Sequence, residues 1–92
     1  MIIALDYDDT YTADPEFWKT VILAATRHKH IIICVTARYK TIQNQQELKL
    51  ALPDDVDIYF SGDEPKMDYM RRNNIVVDVW IDDSPGWIVG IT

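Results

Sequence analysis

Ile2-Ile3-Ala4-Leu5 runs directly into Asp6-Tyr7-Asp8-Asp9-Thr10. The four apolar residues read as a buried strand, and that strand delivers two carboxylates, Asp6 and Asp8, one residue apart at its carboxyl end. Carboxylates at the mouth of an apolar strand repel each other and resist desolvation, so they stay charged only beside a cation or a donor network. Alone, the pair reads more readily as a polar strand end feeding a helix cap. It does not stand alone.

Working outward, the run Ile31-Ile32-Ile33-Cys34-Val35 ends in Thr36-Ala37-Arg38, the run from Val76 to Ile81 ends in Asp82-Asp83, and Lys66 opens a helical segment between them. Each has a bland reading: Thr36 as a turn hydroxyl, Asp82-Asp83 as turn and cap residues, Lys66 as one solvated lysine. In an open parallel sheet, however, the carboxyl ends of the strands converge on one crevice, and ligands bind there. Four polar sites at such ends would then meet.

The remaining elements follow from caps and periodicity. A first strand covers about Ile2 to Asp6. Asp14 caps a helix with Pro15 and Glu16 in its first turn, which runs to about His28 with Phe17, Val21 and Ala24-Ala25 on its inner face. A second strand spans His30 to Val35, and a weakly patterned helix runs from Tyr39 or Lys40 to Leu52, stopping before Pro53. A third strand covers Val56 to Phe60. Asp63 or Glu64 caps a third helix, with Pro65 in the first turn and Met67 and Met70 facing inward. Lys66 near that helix start opposes the macrodipole, which calls for a functional explanation. The fourth strand spans Val76 to Ile81. Too few residues separate it from Ile88-Val89-Gly90-Ile91 for another parallel crossover, so a hairpin-like return or packed tail is expected.

Composition sets outer limits. Ninety-two residues, 48% of them hydrophobic, fit one small domain over 1–92. The net charge of −6 disfavours a dedicated duplex-DNA binder, although setting aside Asp6, Asp8, Asp82, Asp83 and Lys66 leaves only 11 acids against 8 bases. Cys34, the single cysteine, sits in an apolar run as core filling and fits a reducing compartment. No stretch approaches a membrane span and the N-terminus lacks signal-peptide features, so a cytoplasmic location and no membrane partner are expected. His28-Lys29-His30 flanks a helix end and a strand start, a placement typical of solvated residues.

With its four sites in order, the chain resembles the haloacid dehalogenase-like (HAD-like) superfamily of phosphotransferases over nearly its whole length. The family's first motif, Asp-x-Asp-x-Thr after an apolar strand, is matched by Asp6, Asp8 and Thr10; its second by Thr36, its third by Lys66 and its fourth by Asp82-Asp83. Asp9 stands where many members carry glycine. The resemblance implies a three-layer Rossmann-like α/β sandwich with a mostly parallel sheet in core order 4-1-2-3, helices on both faces, and no cap domain, since neither usual insertion point has room for one. It further implies a phosphatase. Asp6 would be the nucleophile, Asp8 the general acid and base, and Thr36 and Lys66 the holders of the phosphoryl oxygens. Mg²⁺ would bind Asp6, the Asp8 backbone carbonyl, and Asp82 with or without Asp83.

Beyond the motifs, Thr10 and Arg38 are expected at the substrate, Arg38 because a guanidinium can grip a second phosphate with paired hydrogen bonds, with a surface salt bridge as the competing use. Tyr7, Tyr11 and Tyr39 are candidates to stack on a ring. The substrate class spans a small phosphorylated molecule and a nucleic-acid 3′-phosphate. The competing readings are a small-metabolite phosphatase roofed by a neighbouring subunit and a non-catalytic binding module of the same fold. A signalling receiver domain fits less well, because Lys66 precedes the final acid pair and Asp6 lies on the first strand.

Overall fold

The computed structural model describes residues 1–90. Four strands, β1 (Ile2–Leu5), β2 (Ile31–Thr36), β3 (Ile58–Phe60) and β4 (Val79–Ile81), form one sheet with neighbours in the order β3-β2-β1-β4. All three pairings are parallel, so every carboxyl end points to the same edge. Read from the β4 side, the row runs 4-1-2-3. The chain steps outward from β1 to β2 to β3 and then returns to the other side of β1, which makes β1 the strand where the winding reverses.

Alternation along the strands gives the sheet two apolar faces. Leu5, Ile32, Cys34 and Phe60 belong to a cluster that also takes Ile22 of α1 (Pro15–Arg27) and Leu48 of α2 (Ile42–Ala51). Ala4, Ile33 and Val35 belong to a second cluster with Met70 of α3 (Lys66–Arg72). Helices therefore cover both faces, α1 and α2 on one and α3 on the other. That division follows from the reversal at β1, because right-handed crossovers made in opposite directions along a sheet leave their helices on opposite sides.

The helices α1 and α2 start as their caps dictate. Asp14 accepts the Phe17 N–H at 3.2 Å with Pro15 next in line, and Thr41 accepts the Asn44 N–H at 3.1 Å ahead of α2. Several expectations need correction. Phe17 and Ala24 are exposed, because the buried stripe of α1 is Trp18, Val21, Ile22 and Ala25, and Phe17 meets only the edge of the Trp18 ring. Neither Asp63 nor Glu64 caps α3: Asp63 accepts the Tyr39 hydroxyl and Glu64 pairs with Arg72 at 2.9 Å. The fourth strand begins only at Val79, where pairing with β1 starts; before it, Asp78 brackets Ile2 by accepting its N–H on the carboxylate at 2.7 Å and donating its own N–H at 2.8 Å.

The tail makes no hairpin among the described residues. Gly86–Val89 form a single helical turn, α4, lying against α3 with Ile88 buried. Gly90 closes it at φ 80°, where a Cβ would stand 2.9 Å from Cγ of Pro65. Ile91, the last residue of that predicted run, lies outside the described residues. No helix among the described residues is long and apolar enough to cross a membrane.

Candidate functional site

Asp6 leaves β1 in register: its N–H donates to the Ile81 carbonyl at 2.9 Å, continuing the β1–β4 ladder one residue beyond the strand. The chain then tightens. Asp9 takes the left-handed conformation at φ 62°, which aspartate tolerates better than most residues, and a 3-10 turn at Tyr11–Ala13 follows. That turn returns the Tyr11 N–H to the Asp6 carbonyl at 3.3 Å and the Thr12 N–H to the Tyr7 carbonyl at 3.1 Å. Tyr11 is buried and its hydroxyl donates to the Ala51 carbonyl of α2 at 2.7 Å, which fixes the loop to the scaffold.

The predicted residues gather where the parallel edge opens. Asp6 from β1, Thr36 from β2, and Asp82 and Asp83 after β4 line one cleft of about 290 Å³ together with Asp8, Arg38 and Lys66. Thr10 stands behind it, buried, its hydroxyl oxygen 3.2 Å from Asp6 Oδ2 and 3.0 Å from Asp83 Oδ1 while also accepting the Asp83 N–H at 3.2 Å. With one proton, that hydroxyl satisfies one carboxylate at a time. A larger depression of about 410 Å³ lies between α2 and the free edge of β3, bordered by Lys49, Leu52 and Phe60 among others and by none of these residues.

Lys66 is the counter-charge. It is 1% exposed, and its Nζ lies 2.8 Å from Asp6 Oδ1 and 2.5 Å from Asp82 Oδ2. A buried ammonium is tolerated only where it is paired, and here two carboxylates pair it. Its place at the start of α3 thus follows from the site. One cation does not balance three acids, however. Asp6, Asp82 and Asp83 each offer an oxygen, all within 4.8 Å of one another. Burial pushes the Asp6 carboxyl up to about 6, with Lys66 opposing and Asp83 adding to the rise. Asp83 is held below its ordinary value, first by its nearness to the Asp6 carboxyl and then by the Thr10 hydroxyl 3.0 Å away. Below about pH 6 and without a cation, Asp6 is therefore the acid that takes up a proton.

Three carboxylates converging with oxygen ligands alone suit a hard divalent cation such as Mg²⁺, which needs few protein ligands and keeps its waters. Asp6, Asp82 and Asp83 would hold it. The Asp8 side chain is engaged elsewhere, accepting from Arg38 Nε and Nη2 at 2.8 Å each. The remaining donors of Arg38 reach α2, with Nη1 at 2.8 Å from Glu47 and 3.1 Å from Asn44, and its guanidinium lies 5.2 Å over the Tyr7 ring. Of the two uses expected of Arg38, the structure shows the salt bridge, placed at the wall of the cleft.

Sequence reasoning missed Ser61, Glu47 and Trp87. Ser61 is a buried strand-end hydroxyl like Thr36, donating from both its N–H (2.8 Å) and its Oγ (3.2 Å) to the Thr36 carbonyl. Its place after the run to Phe60 was the available signal. Glu47 offered none within a weakly patterned helix, and Trp87 only its nearness to Asp82-Asp83. Cys34 is wholly buried and its thiol is pushed up to about 12, chiefly by burial, so it is inert filling. Comparisons with protein-family models, with curated proteins and with solved structures find no match for this chain.

Proposed function

We propose that the chain is a capless HAD-like domain, with the three-layer Rossmann-like arrangement that class implies, and that it is a Mg²⁺-dependent phosphomonoester hydrolase working through an aspartyl-phosphate. One observation carries the reading: Asp6 is held at the mouth of a single cleft, one oxygen on the buried Lys66 and the other facing Thr10, with Asp8, Thr36, Arg38, Asp82 and Asp83 around it. A bland polar strand end has no need of a buried cation.

A phosphate ester repels nucleophiles, so its cleavage needs a positioned nucleophile, charge neutralisation and a proton donor. An Asp6 oxygen attacks phosphorus as the ester P–O bond breaks, and Asp8 gives the leaving oxygen its proton. Water then attacks the phosphorus of the aspartyl-phosphate, Asp8 takes the water's proton, and Asp6 and inorganic phosphate are released. Thr36 and Lys66 bind phosphoryl oxygens. Asp6, Asp82 and Asp83 would hold Mg²⁺, which would supply charge neutralisation for those oxygens. While Arg38 holds it, Asp8 is an ionised acceptor; once Arg38 exchanges it for an anionic group of the substrate, Asp8 takes a proton from solvent and reaches the leaving group, which joins substrate binding to arming of the proton donor.

The cleft is open and shallow, and water exclusion strengthens the electrostatics that phosphoryl transfer uses. A large substrate such as a nucleic-acid 3′-phosphate would supply its own cover; a small metabolite would need a neighbouring subunit. The deciding experiment measures Mg²⁺-dependent phosphate release from an aryl phosphate by wild type and Asp6→Asn. Release by wild type alone supports the reading, whereas silence from both leaves the non-catalytic module in its place.

A further inference from the structure

Among the described residues, the cleft has two apolar lining side chains, Ala37 and Trp87; all the others are polar or charged. Trp87 is 48% exposed, which leaves much of a large apolar ring in water rather than in the core. It is also firmly presented. Its N–H donates to the Ser84 carbonyl at 3.0 Å, the neighbouring Ile88 is buried, and Gly90 seats the end of α4 against Pro65. The backbone that carries the ring is thus held by a helical turn that begins three residues after Asp83, and the half-exposed residue lines the cleft.

The other aromatic residues near the mouth are committed. Tyr7 is buried beneath the Arg38 guanidinium, and Tyr11 is buried with its hydroxyl on Ala51. Tyr39 is exposed, but it lies along Gly62, hydrogen-bonded to Asp63, and does not border the cleft. Arg38 contacts a ligand only by giving up a partner. Among the described residues, the Trp87 ring has no such partner to surrender.

We infer that Trp87 is the stacking platform for the base of a nucleoside phosphomonoester, an inference that rests on the phosphatase reading in placing the phosphate beside Asp6. At about 290 Å³ the cleft is at the small end for a ligand site, so a ring attached through a spacer comes to the rim where Trp87 stands. The polar wall between suits the hydroxyls of a sugar. It suits poorly a phenyl ring joined directly to the phosphate, which would lie among carboxylates. A nucleoside has the required sequence of phosphate, polar spacer and flat ring, whether it is a free nucleotide or the terminal residue of a polynucleotide.

The test uses Asp6→Asn protein with Mg²⁺, so that binding is read without turnover, and compares it with the same protein carrying Trp87→Leu or Trp87→Gln. Equilibrium dialysis with adenosine 3′-monophosphate, glycerol 2-phosphate, phenyl phosphate and a short 3′-phosphorylated oligonucleotide gives the ratios. The nucleotide should bind at least about fivefold more tightly than glycerol 2-phosphate, a modest share of what one stacked base contributes, and either Trp87 substitution should bring the ratio to within about twofold. The two replacements differ in polarity, so unfolding of one leaves the other decisive. Whichever of mononucleotide and oligonucleotide loses more identifies the source of the nucleoside. A ratio that survives both substitutions overturns the inference, as does a loss confined to phenyl phosphate. Because no chemistry is required, loss of nucleotide selectivity upholds the stacking role even if the wild type hydrolyses no ester, and hydrolysis with unchanged selectivity removes Trp87 alone.

Discussion

The guanidinium of Arg38 holds the carboxylate of Asp8 through two parallel hydrogen bonds of 2.8 Å, Nε to Oδ2 and Nη2 to Oδ1. A lysine cannot reproduce that fork. Arg38→Lys should lower kcat/KM by at least about tenfold, or ~1.4 kcal/mol of transition-state stabilisation, while changing stability by less than about 1 kcal/mol because the pair is part-exposed. Steady-state kinetics with parallel denaturant titrations measure both. A stability loss as large as the kinetic one would make Arg38 a structural clamp.

Removal of the proton donor should depend on the leaving group. Asp8→Asn is expected to slow alkyl phosphates far more than activated aryl phosphates, whose leaving oxygens need little protonation. Equal losses across a leaving-group series would take the general-acid role away from Asp8.

The buried acid Asp6 carries a pH signature. Its carboxyl ionises near 3.8 in the unfolded chain and near 6 in the folded one, so the folded state binds the extra proton between those values. The stabilising effect of that proton is therefore fully present below about pH 4 and lost as pH rises through 6. Asn cannot ionise, so the melting temperature of Asp6→Asn relative to wild type should climb across that window in chelator, by an amount equivalent to at most about 3 kcal/mol. A difference that stays flat from pH 4 to 7 would mean that Asp6 titrates normally.

Divalent cations should act on the same charges. Millimolar Mg²⁺ is expected to raise the melting temperature, since an ion that binds only the folded state stabilises it by about 2.7 kcal/mol at one hundred times its Kd, and Asp83→Asn should reduce the rise. Calcium should stabilise as well but support little turnover, its longer and looser coordination misplacing the phosphoryl group. Thermal melts over a metal titration suffice, and a curve unmoved by Mg²⁺ at pH 7 would remove the cation from the site.

Lys66 should be the most damaging single loss. Lys66→Met fills the volume but leaves Asp6 and Asp82 without their cation, and breaking a buried pair from one side typically costs about 3–5 kcal/mol. Adding Asp6→Asn to that variant should restore part of the loss, because the two residues act on one charge cluster. Strict additivity in the four-member cycle would show that they do not interact.

The acid pairs, Thr36 and Lys66 were legible because each follows or opposes something simple: a largely apolar run in the first three cases, a helix dipole in the last. What escaped was set by partners far along the chain. Asp63 and Glu64 have good capping chemistry, yet Tyr39 and Arg72 claim them, and neither pairing is visible in a local pattern. Val76 and Val77 look like strand, but β4 finds a neighbour only along β1, whose three matching residues limit its length. The Arg38 pairing depends on Glu47 and Asn44 arriving one helix later.

The central position of β1 governs when the site comes into being as the chain is made. Residues 2–5 are made before the other strands, but their second neighbour is β4, and the pairing of Ile3 with Val79 spans 76 positions of sequence. Closing so long a loop is slow compared with forming local helices. Until β4 docks, a nascent chain has one open edge on its innermost strand, and Asp6 and Lys66 lack Asp82 and Asp83. The full acid cluster, with its mutual repulsion, therefore cannot exist before β4 has docked beside β1.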